Sequence, residues 1–82
     1  MQPITLADLP RGASAQVLTL HGVGPERQRM IDLGILPGTI ISVEVRSPLG
    51  DPTAYRVRDT VIALRREQAQ RIEVLLDTGE VL

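Results

Sequence analysis

The residues that could bind a metal ion are few and dispersed in this sequence. His21 is the single histidine, and the chain contains no cysteine. A site for a divalent transition metal typically combines histidine with carboxylates around open coordination positions, whereas the ten acidic residues here form no tight pair along the chain. His21 and Glu26 are therefore only weak metal candidates. A histidine between Leu20 and Gly22 is more commonly a polar loop residue.

Catalytic motifs are missing as well. Ser14, Ser42 and Ser47 lack the glycine-flanked turn that exposes a serine nucleophile. The segment "GVGP" at 22–25 is too short for a phosphate-binding loop and lacks its Gly-Lys-Ser/Thr ending. With no cysteine there is also no thiol nucleophile. The sequence therefore predicts a protein that is not an enzyme and that binds no cofactor.

Charge and aromatic content limit the class of partner. Nine arginines and ten acidic residues give a net charge of −1, and there is one aromatic residue, Tyr55. Nucleic-acid binders present a basic face, and single-strand binders add aromatic platforms, so we expect no nucleic acid. Grooves for proline-rich peptides are also lined with aromatic rings, so we expect no such groove. Tyr55 is then either a lone contact in a partner surface or a half-buried strand residue with its hydroxyl in water.

One short helix is predicted at residues 25–33. Gly24 can serve as N-cap, and Pro25 suits the first helical position because its missing N–H would be unpaired there. Met30 and Leu33 are three residues apart and form an apolar stripe. Gly34 stands where a left-handed residue commonly ends a helix.

The rest of the chain has the pattern of short strands. Alternating or β-branched segments occur at 13–20, 40–46, 53–57, 61–65 and 71–76, with turn residues about every ten positions. In the second segment, Ile41, Val43 and Val45 are expected on one face. The fold class predicted is all-β: a small antiparallel barrel or sandwich of about five strands, with the helix inserted after the first strand. We expect a single domain over 1–76 and a flexible tail over 77–82.

Three quoted segments carry a family resemblance. The run "RMIDLGILPGT" at 29–39, "SPLGDP" at 47–52 and "RVRDTVIALRREQAQRIEV" at 56–74 resemble, in order and spacing, the bacterial ferrous-iron transport protein A family, FeoA. Two positions depart from its pattern: Asp59 stands where glycine is common, and Thr53 where an aliphatic residue is usual. Aspartate tolerates turn geometry and threonine suits a strand, so neither departure threatens the fold.

The resemblance implies an SH3-like barrel and a role in ferrous iron uptake. A member of this family is expected to be a cytoplasmic accessory protein that acts on the GTPase-bearing ferrous iron permease FeoB. It would be associated with the membrane through the permease and not inserted itself. The N-terminal "MQPITLADLP" lacks the basic and apolar regions of a secretory signal, which agrees with that location. We expect the partner, and not this chain, to carry the metal.

A partner surface is predicted from exposed residues in irregular segments, where binding residues concentrate. Its candidates are Arg27, Arg29, Leu36, Leu49, Asp51, Pro52 and Tyr55. An alternative remains for several of them. The two helix arginines could simply pair with Glu26 or Asp32 on a solvated face, and Leu36 could cover one end of the barrel.

Two other functions remain open from the sequence. An SH3-like domain that responds to a metal or effector could associate with an iron-dependent transcriptional repressor, because such repressors carry a related domain. A third hypothesis is weak self-association through strand edges, which small β-proteins can use to pair.

Overall fold

The computed structural model describes residues 3–77. These residues form six strands, two helices and one 3₁₀ turn. In chain order they are β1 Ile4–Thr5, the 3₁₀ turn Leu6–Asp8, β2 Ser14–Leu20, α1 Gly24–Asp32, β3 Ile40–Arg46, β4 Thr53–Val57, β5 Thr60–Leu64, α2 Arg66–Ala69 and β6 Ile72–Asp77. The predicted tail therefore starts one residue later at the earliest, because Asp77 ends β6. Residues 78–82 of that tail lie outside the described part of the chain.

The strands form one antiparallel sheet in the order β1-β6-β2-β3-β4-β5. The five predicted strands and the helix after the first of them are confirmed, and β1 is an additional strand of two residues. Strand pairing does not close the sheet within residues 3–77. Strands β1 and β5 are at opposite ends of the order and do not pair within residues 3–77, because β1 gives way to the 3₁₀ turn after two residues. The sheet therefore has two edges.

The core is aliphatic, as the composition indicates, with a single tyrosine in it. The fully buried large side chains come from the 3₁₀ turn and its C-cap, the α1–β3 connection and strands β2, β3, β4 and β6. They are Leu6, Leu9, Val17, Ile35, Ile41, Tyr55, Val57, Ile72 and Val74. The apolar lead-in of residues 4–9 thus closes one side of the core. The Arg46 guanidinium on β3 donates to the carbonyl of Leu9 and ties the two segments together.

A β-bulge in β2 changes which residues face the core. Leu18 is an extra residue between the pairs Val17–Val74 and Thr19–Glu73. Because both Leu18 and Thr19 face outward, Leu20 returns to the core beside Ile72. Strict alternation would have placed Thr19 on the same face as Ala15 and Val17, and the bulge turns it to the outer face.

A second bulge in β3 has the same effect. Glu44 is the extra residue between the pairs Val43–Tyr55 and Val45–Ala54. Ile41 and Val43 are buried as predicted, but Val45 lies on the outer face and is 56% exposed. Glu44 uses its outward position to accept hydrogen bonds from Arg56 Nε and Nη2 at 3.0 and 3.1 Å, and this contact lowers the pKa of Glu44.

Helix α1 begins and ends close to its predicted bounds. Val23 is the N-cap, so the helix includes Gly24, the predicted N-cap, and has Pro25 in its first turn. Gly34 follows the helix with φ +94°, the left-handed conformation that its position predicts. Met30 is buried and Leu33 is half-buried. So short a helix is marginal in isolation, and these contacts with the sheet stabilise it.

Helix α2 is a single turn whose start is fixed by a distant loop. The Arg66 N–H donates to Asp51 Oδ1 at 2.9 Å. The Arg65 N–H donates to Gln68 Oε1 at the same distance. Neither α1 nor α2, within residues 3–77, has the length and apolar character that a membrane-crossing helix needs.

Candidate functional site

The structure removes Tyr55 from the predicted partner surface. Its side chain is 1% exposed, because the alternation in β4 places Thr53, Tyr55 and Val57 together on the core face. The phenol O–H points to the Leu6 carbonyl at 3.5 Å, and burial raises the pKa of Tyr55. Both predicted interpretations of Tyr55 are thus wrong: the ring is fully buried and the hydroxyl faces the protein. Tyr55 instead joins β4 to the 3₁₀ turn.

The two weak metal candidates have separate partners. His21 Nε2 lies 3.3 Å from Glu73 Oε1, while Glu26 forms an ion pair with Arg71. The sequence offered Glu26 as one carboxylate that could join His21, but in the structure Glu73 lies beside His21, because β2 and β6 are paired strands. Within residues 3–77 no group of three or more histidine, aspartate or glutamate side chains is arranged to hold a metal ion.

A small cleft lies between the start of α1, the end of β2 and the end of α2. It is lined by Leu20, His21, Gly22, Glu26, Arg27, Met30, Gln68, Arg71 and Ile72. Its enclosed volume is about 10 Å³, which is about the space of one water molecule. Pockets for small organic ligands are far larger. The cleft is therefore a packing seam between α1 and α2, held by the Glu26–Arg71 ion pair.

The two predicted arginines of α1 point in different directions. Residues two apart on a helix are about 200° apart around its axis. Arg27 Nε donates to the Leu20 carbonyl at 3.4 Å and its side chain lines the cleft, so Arg27 is oriented toward the body of the protein. Arg29 is exposed on the other side. The alternative pairing with Glu26 or Asp32 is not found in the described chain, where Glu26 contacts Arg71 and Asp32 accepts from Gln28.

The loop between β3 and β4 presents one apolar side chain to solvent. The Gly50 N–H donates to the Ser47 carbonyl at 2.8 Å, and Gly50 has φ +86°. This turn holds Leu49 at its tip, where it is 94% exposed. Pro52 is exposed too, while Asp51 is used to cap α2. Of the residues predicted in this loop, Leu49 and Pro52 are therefore exposed to a partner, whereas the Asp51 carboxylate accepts the Arg66 N–H at the start of α2.

Leu36 lies in the turn between α1 and β3. The Thr39 N–H donates to the Leu36 carbonyl at 2.9 Å, and the Gly38 N–H donates to Val17 at 2.7 Å, which fixes this turn against β2. Leu36 is 37% exposed, and Ile40 at the start of β3 is 50% exposed. Ile40 was not singled out from the sequence, although the alternation that places Ile41 and Val43 on the core face places Ile40 on the outer face.

This topology defines a small SH3-like domain: six short antiparallel strands around one aliphatic core, with a helix after β2 and a single helical turn before the last strand. The FeoA domain family matches residues 4–76. The chain belongs to this family, and the SH3-like fold expected from the resemblance is confirmed.

Individual relatives agree with the family. This chain is similar to the Fe(2+) transport protein A/Fe(2+) transporter FeoB fusion protein of Porphyromonas gingivalis, with 39% identity over 71 residues. The matched region is 87% of this chain and 8% of that protein. This chain therefore spans only a small part of that relative's length. The solution structure of iron(II) transport protein A from Clostridium thermocellum has a TM-score of 0.88 at 30% identity, over 93% of this chain and 47% of that one.

A third relative is FeoA of Stenotrophomonas maltophilia, solved in complex with zinc and called a prokaryotic SH3 domain protein. It has a TM-score of 0.72 at 31% identity, over 93% of this chain and 92% of that one. A manganese-dependent transcriptional repressor also matches, with a TM-score of 0.80 at 17% identity over 92% of this chain and 42% of that one. At that identity the repressor shows a shared fold and nothing about function.

Proposed function

We propose that this protein is an accessory factor of ferrous iron uptake that binds the cytoplasmic part of the permease FeoB. The observation that supports this most is the relative in which an FeoA domain and the transporter FeoB form one polypeptide. Fusion keeps two domains at a high effective concentration, which favours pairs that work in contact. A separate chain of the same family would reach its permease by binding. It would then be cytoplasmic, non-enzymatic and held at the membrane by its partner.

Among the predicted partner residues, Arg29 and Leu49 carry this proposal best. Both side chains are exposed, and neither has a hydrogen bond or ion pair to another described residue. Arginine is enriched among the residues that dominate binding energy, and binding residues concentrate on loops such as the one that exposes Leu49. Leu36 and Pro52 would extend the contact. Arg27 and Asp51 already have partners within the fold, so we expect smaller direct contributions from them.

The proposed mechanism is a shift between two states of the permease. A bound protein changes such an equilibrium only if its affinity for the two states differs. Binding at a few exposed side chains can supply this difference if the permease rearranges the facing surface during its nucleotide cycle. The metal ion would be transported by the permease, and this chain would act on the timing or assembly of transport.

Membrane co-sedimentation tests the function. We expect the protein to sediment with membranes from cells that contain the permease and to stay in the supernatant with membranes from permease-null cells. Equal retention on both membranes would contradict the proposal. Association with a DNA-binding repressor chain in place of the permease would favour the regulatory alternative.

Two substitutions test the surface. Arg29→Ala and Leu49→Ala should each weaken permease binding by about 5- to 30-fold, the range for an important interface residue. Arg11→Ala and Val45→Ala are matched controls, because they remove the same kinds of exposed side chain elsewhere on the chain. Unchanged affinity in both test variants, with circular dichroism unchanged, would show that the permease binds another surface while leaving the function intact.

A further inference from the structure

Within residues 3–77, strand β5 is an edge of the sheet that pairs on one side only, and it lacks the charges, proline or bulge that usually protect an edge. It pairs with β4 on one side and is the last strand in the sheet order. Exposed edges are commonly blocked by charged residues, proline or a bulge. The five residues Thr60–Leu64 include no charge and no proline, and their pairing with β4 is regular throughout. The edge is therefore suited to pairing with another strand.

The hairpin register shows which backbone groups are free at this edge. Val57 and Thr60 close a hairpin around Arg58 and Asp59, so Thr60, Ile62 and Leu64 exchange hydrogen bonds with β4. Val61 and Ala63 alternate with them and direct their N–H and C=O groups outward. No described residue pairs with these groups.

We propose that β5 binds β5 of a second copy of this chain, antiparallel, about a two-fold axis that passes through Ile62. Val61 of each copy then lies opposite Ala63 of the other. Each of these residues offers one N–H and one C=O, so the pairing forms about four backbone hydrogen bonds. The contact is isologous and closes at two copies.

Charge complementarity favours a second copy of this chain as the partner of β5, in this register. One position beyond each end of β5, Asp59 in the hairpin turn of each copy comes next to Arg65, the N-cap of α2, in the other. Both side chains are exposed, and neither forms an ion pair with a residue in the described part of the chain. Opposite charges across paired strands stabilise the pair, and like charges destabilise it. Sliding the register by two residues either way separates Asp59 from Arg65 and leaves one outward backbone pair unmatched.

The apolar side chains agree with this register. Ile62 is half-buried and packs against the core. Across the axis it meets Ile62 of the second copy at a non-hydrogen-bonded position, where side chains approach most closely. On the outer face Val61, which is 45% exposed, lies beside Ala63 of the other copy. Both faces of the pairing therefore remove apolar surface from water.

The association is weak because the contact is short. A five-residue edge buries less than the roughly 1,000 Å² typical of stable interfaces, so we expect a dissociation constant of about 0.1–1 mM. Sedimentation should show a concentration-dependent dimer in that range. Amide signals of residues 59–65 should shift with concentration, and hydrogen exchange at the Val61 and Ala63 amides should slow.

A charge exchange tests the register directly. Asp59→Arg places arginine opposite Arg65, and Arg65→Asp places aspartate opposite Asp59, so each variant alone should dimerise at least about 5-fold more weakly. Mixing the two variants restores opposite charges at both positions. The mixture should therefore form a heterodimer at least as well as the unmodified chain. Arg11→Asp is the matched control, because it makes the same charge change outside β5 and should leave dimerisation unchanged.

Three results would overturn the proposal. One is a monomer up to about 1 mM, the limit of the expected range. Another is a dimer in which residues 59–65 are unaffected, or in which the two charge variants associate no better together than apart. A third is protection of the Val61 and Ala63 amides only when the permease is added, which would make β5 a docking strand for the permease. None of these results bears on whether Arg29 and Leu49 contact the permease.

Discussion

Tyr55 shows how position outweighs residue type at the scale of a single side chain. An exposed tyrosine is a common binding residue, yet here the only aromatic ring of the chain lies in the core. Alternation in the sequence places Thr53, Tyr55 and Val57 on one face of β4 and Ala54 and Arg56 on the other. Which of the two faces is buried could not be read from so short a segment. That choice depends on tertiary contacts such as the one between the Tyr55 hydroxyl and the Leu6 carbonyl of the 3₁₀ turn.

We expect the burial of Tyr55 to appear as a loss of stability at high pH. Its pKa is raised in the folded protein, so above about pH 10 the unfolded chain loses a proton that the folded chain retains. The free energy of unfolding is therefore unaffected by this group below about pH 10 and falls as the pH rises toward the folded pKa. Urea unfolding from pH 8 to 11 measures this, and absorbance reports the ionisation of this one tyrosine.

Tyr55→Phe is the control for this pH dependence. It keeps the ring in the core and removes the ionisable hydroxyl, so the fall in stability that belongs to Tyr55 should disappear. At neutral pH the substitution should lower the free energy of unfolding by at most about 1 kcal/mol, because the hydrogen bond from Tyr55 to the Leu6 carbonyl is long. The explanation would fail if the variant and the unmodified protein lost stability equally above pH 10.

At the scale of elements, local residue preferences in the sequence predicted where the helix and the strands lie. Gly34 and Pro25 placed the helix to within a residue, and alternation with turn residues placed five strands. The two bulges were not predicted, because an extra residue such as Leu18 or Glu44 is defined only by the strand it faces. The orientation of Arg27 could have been predicted, since positions two apart never share a helix face. Its hydrogen bond to Leu20 could not, because β2 and α1 meet only through tertiary packing.

Helix α2 supplies a prediction at this scale. Asp51→Ala removes the acceptor of the Arg66 N–H and should destabilise the protein by about 1 kcal/mol, as for the loss of a helix cap. Asp51→Asn retains an acceptor oxygen at the same place, so its loss of stability should be clearly smaller than that of Asp51→Ala. Urea unfolding measures both, and faster hydrogen exchange at Arg66 in the alanine variant would locate the effect. Equal losses in the two variants would contradict the capping role.

At the scale of the whole molecule, residues 3–77 present surfaces but hold no group of three or more histidine or carboxylate side chains arranged for a cation. We therefore predict that anaerobic titration with Fe²⁺ shows no stoichiometric binding at micromolar concentrations. Histidine with one carboxylate, as in the His21–Glu73 pair, leaves most ligand positions to water. His21→Ala should leave the titration unchanged. Tight one-to-one binding that is lost in this variant would contradict the prediction and would make the chain itself a carrier of iron.

The bulges of β2 and β3 have a consequence for chain length. In a regular strand, loss of one residue turns every later side chain to the opposite face. At Leu18 and Glu44 the chain already holds one residue more than its partner strand, so removal of either would restore even pairing and leave the buried residues inward. Related chains can therefore differ by one residue at these two places and keep the same core. An alignment that opens a gap anywhere else in β2 or β3 would misassign the inward positions.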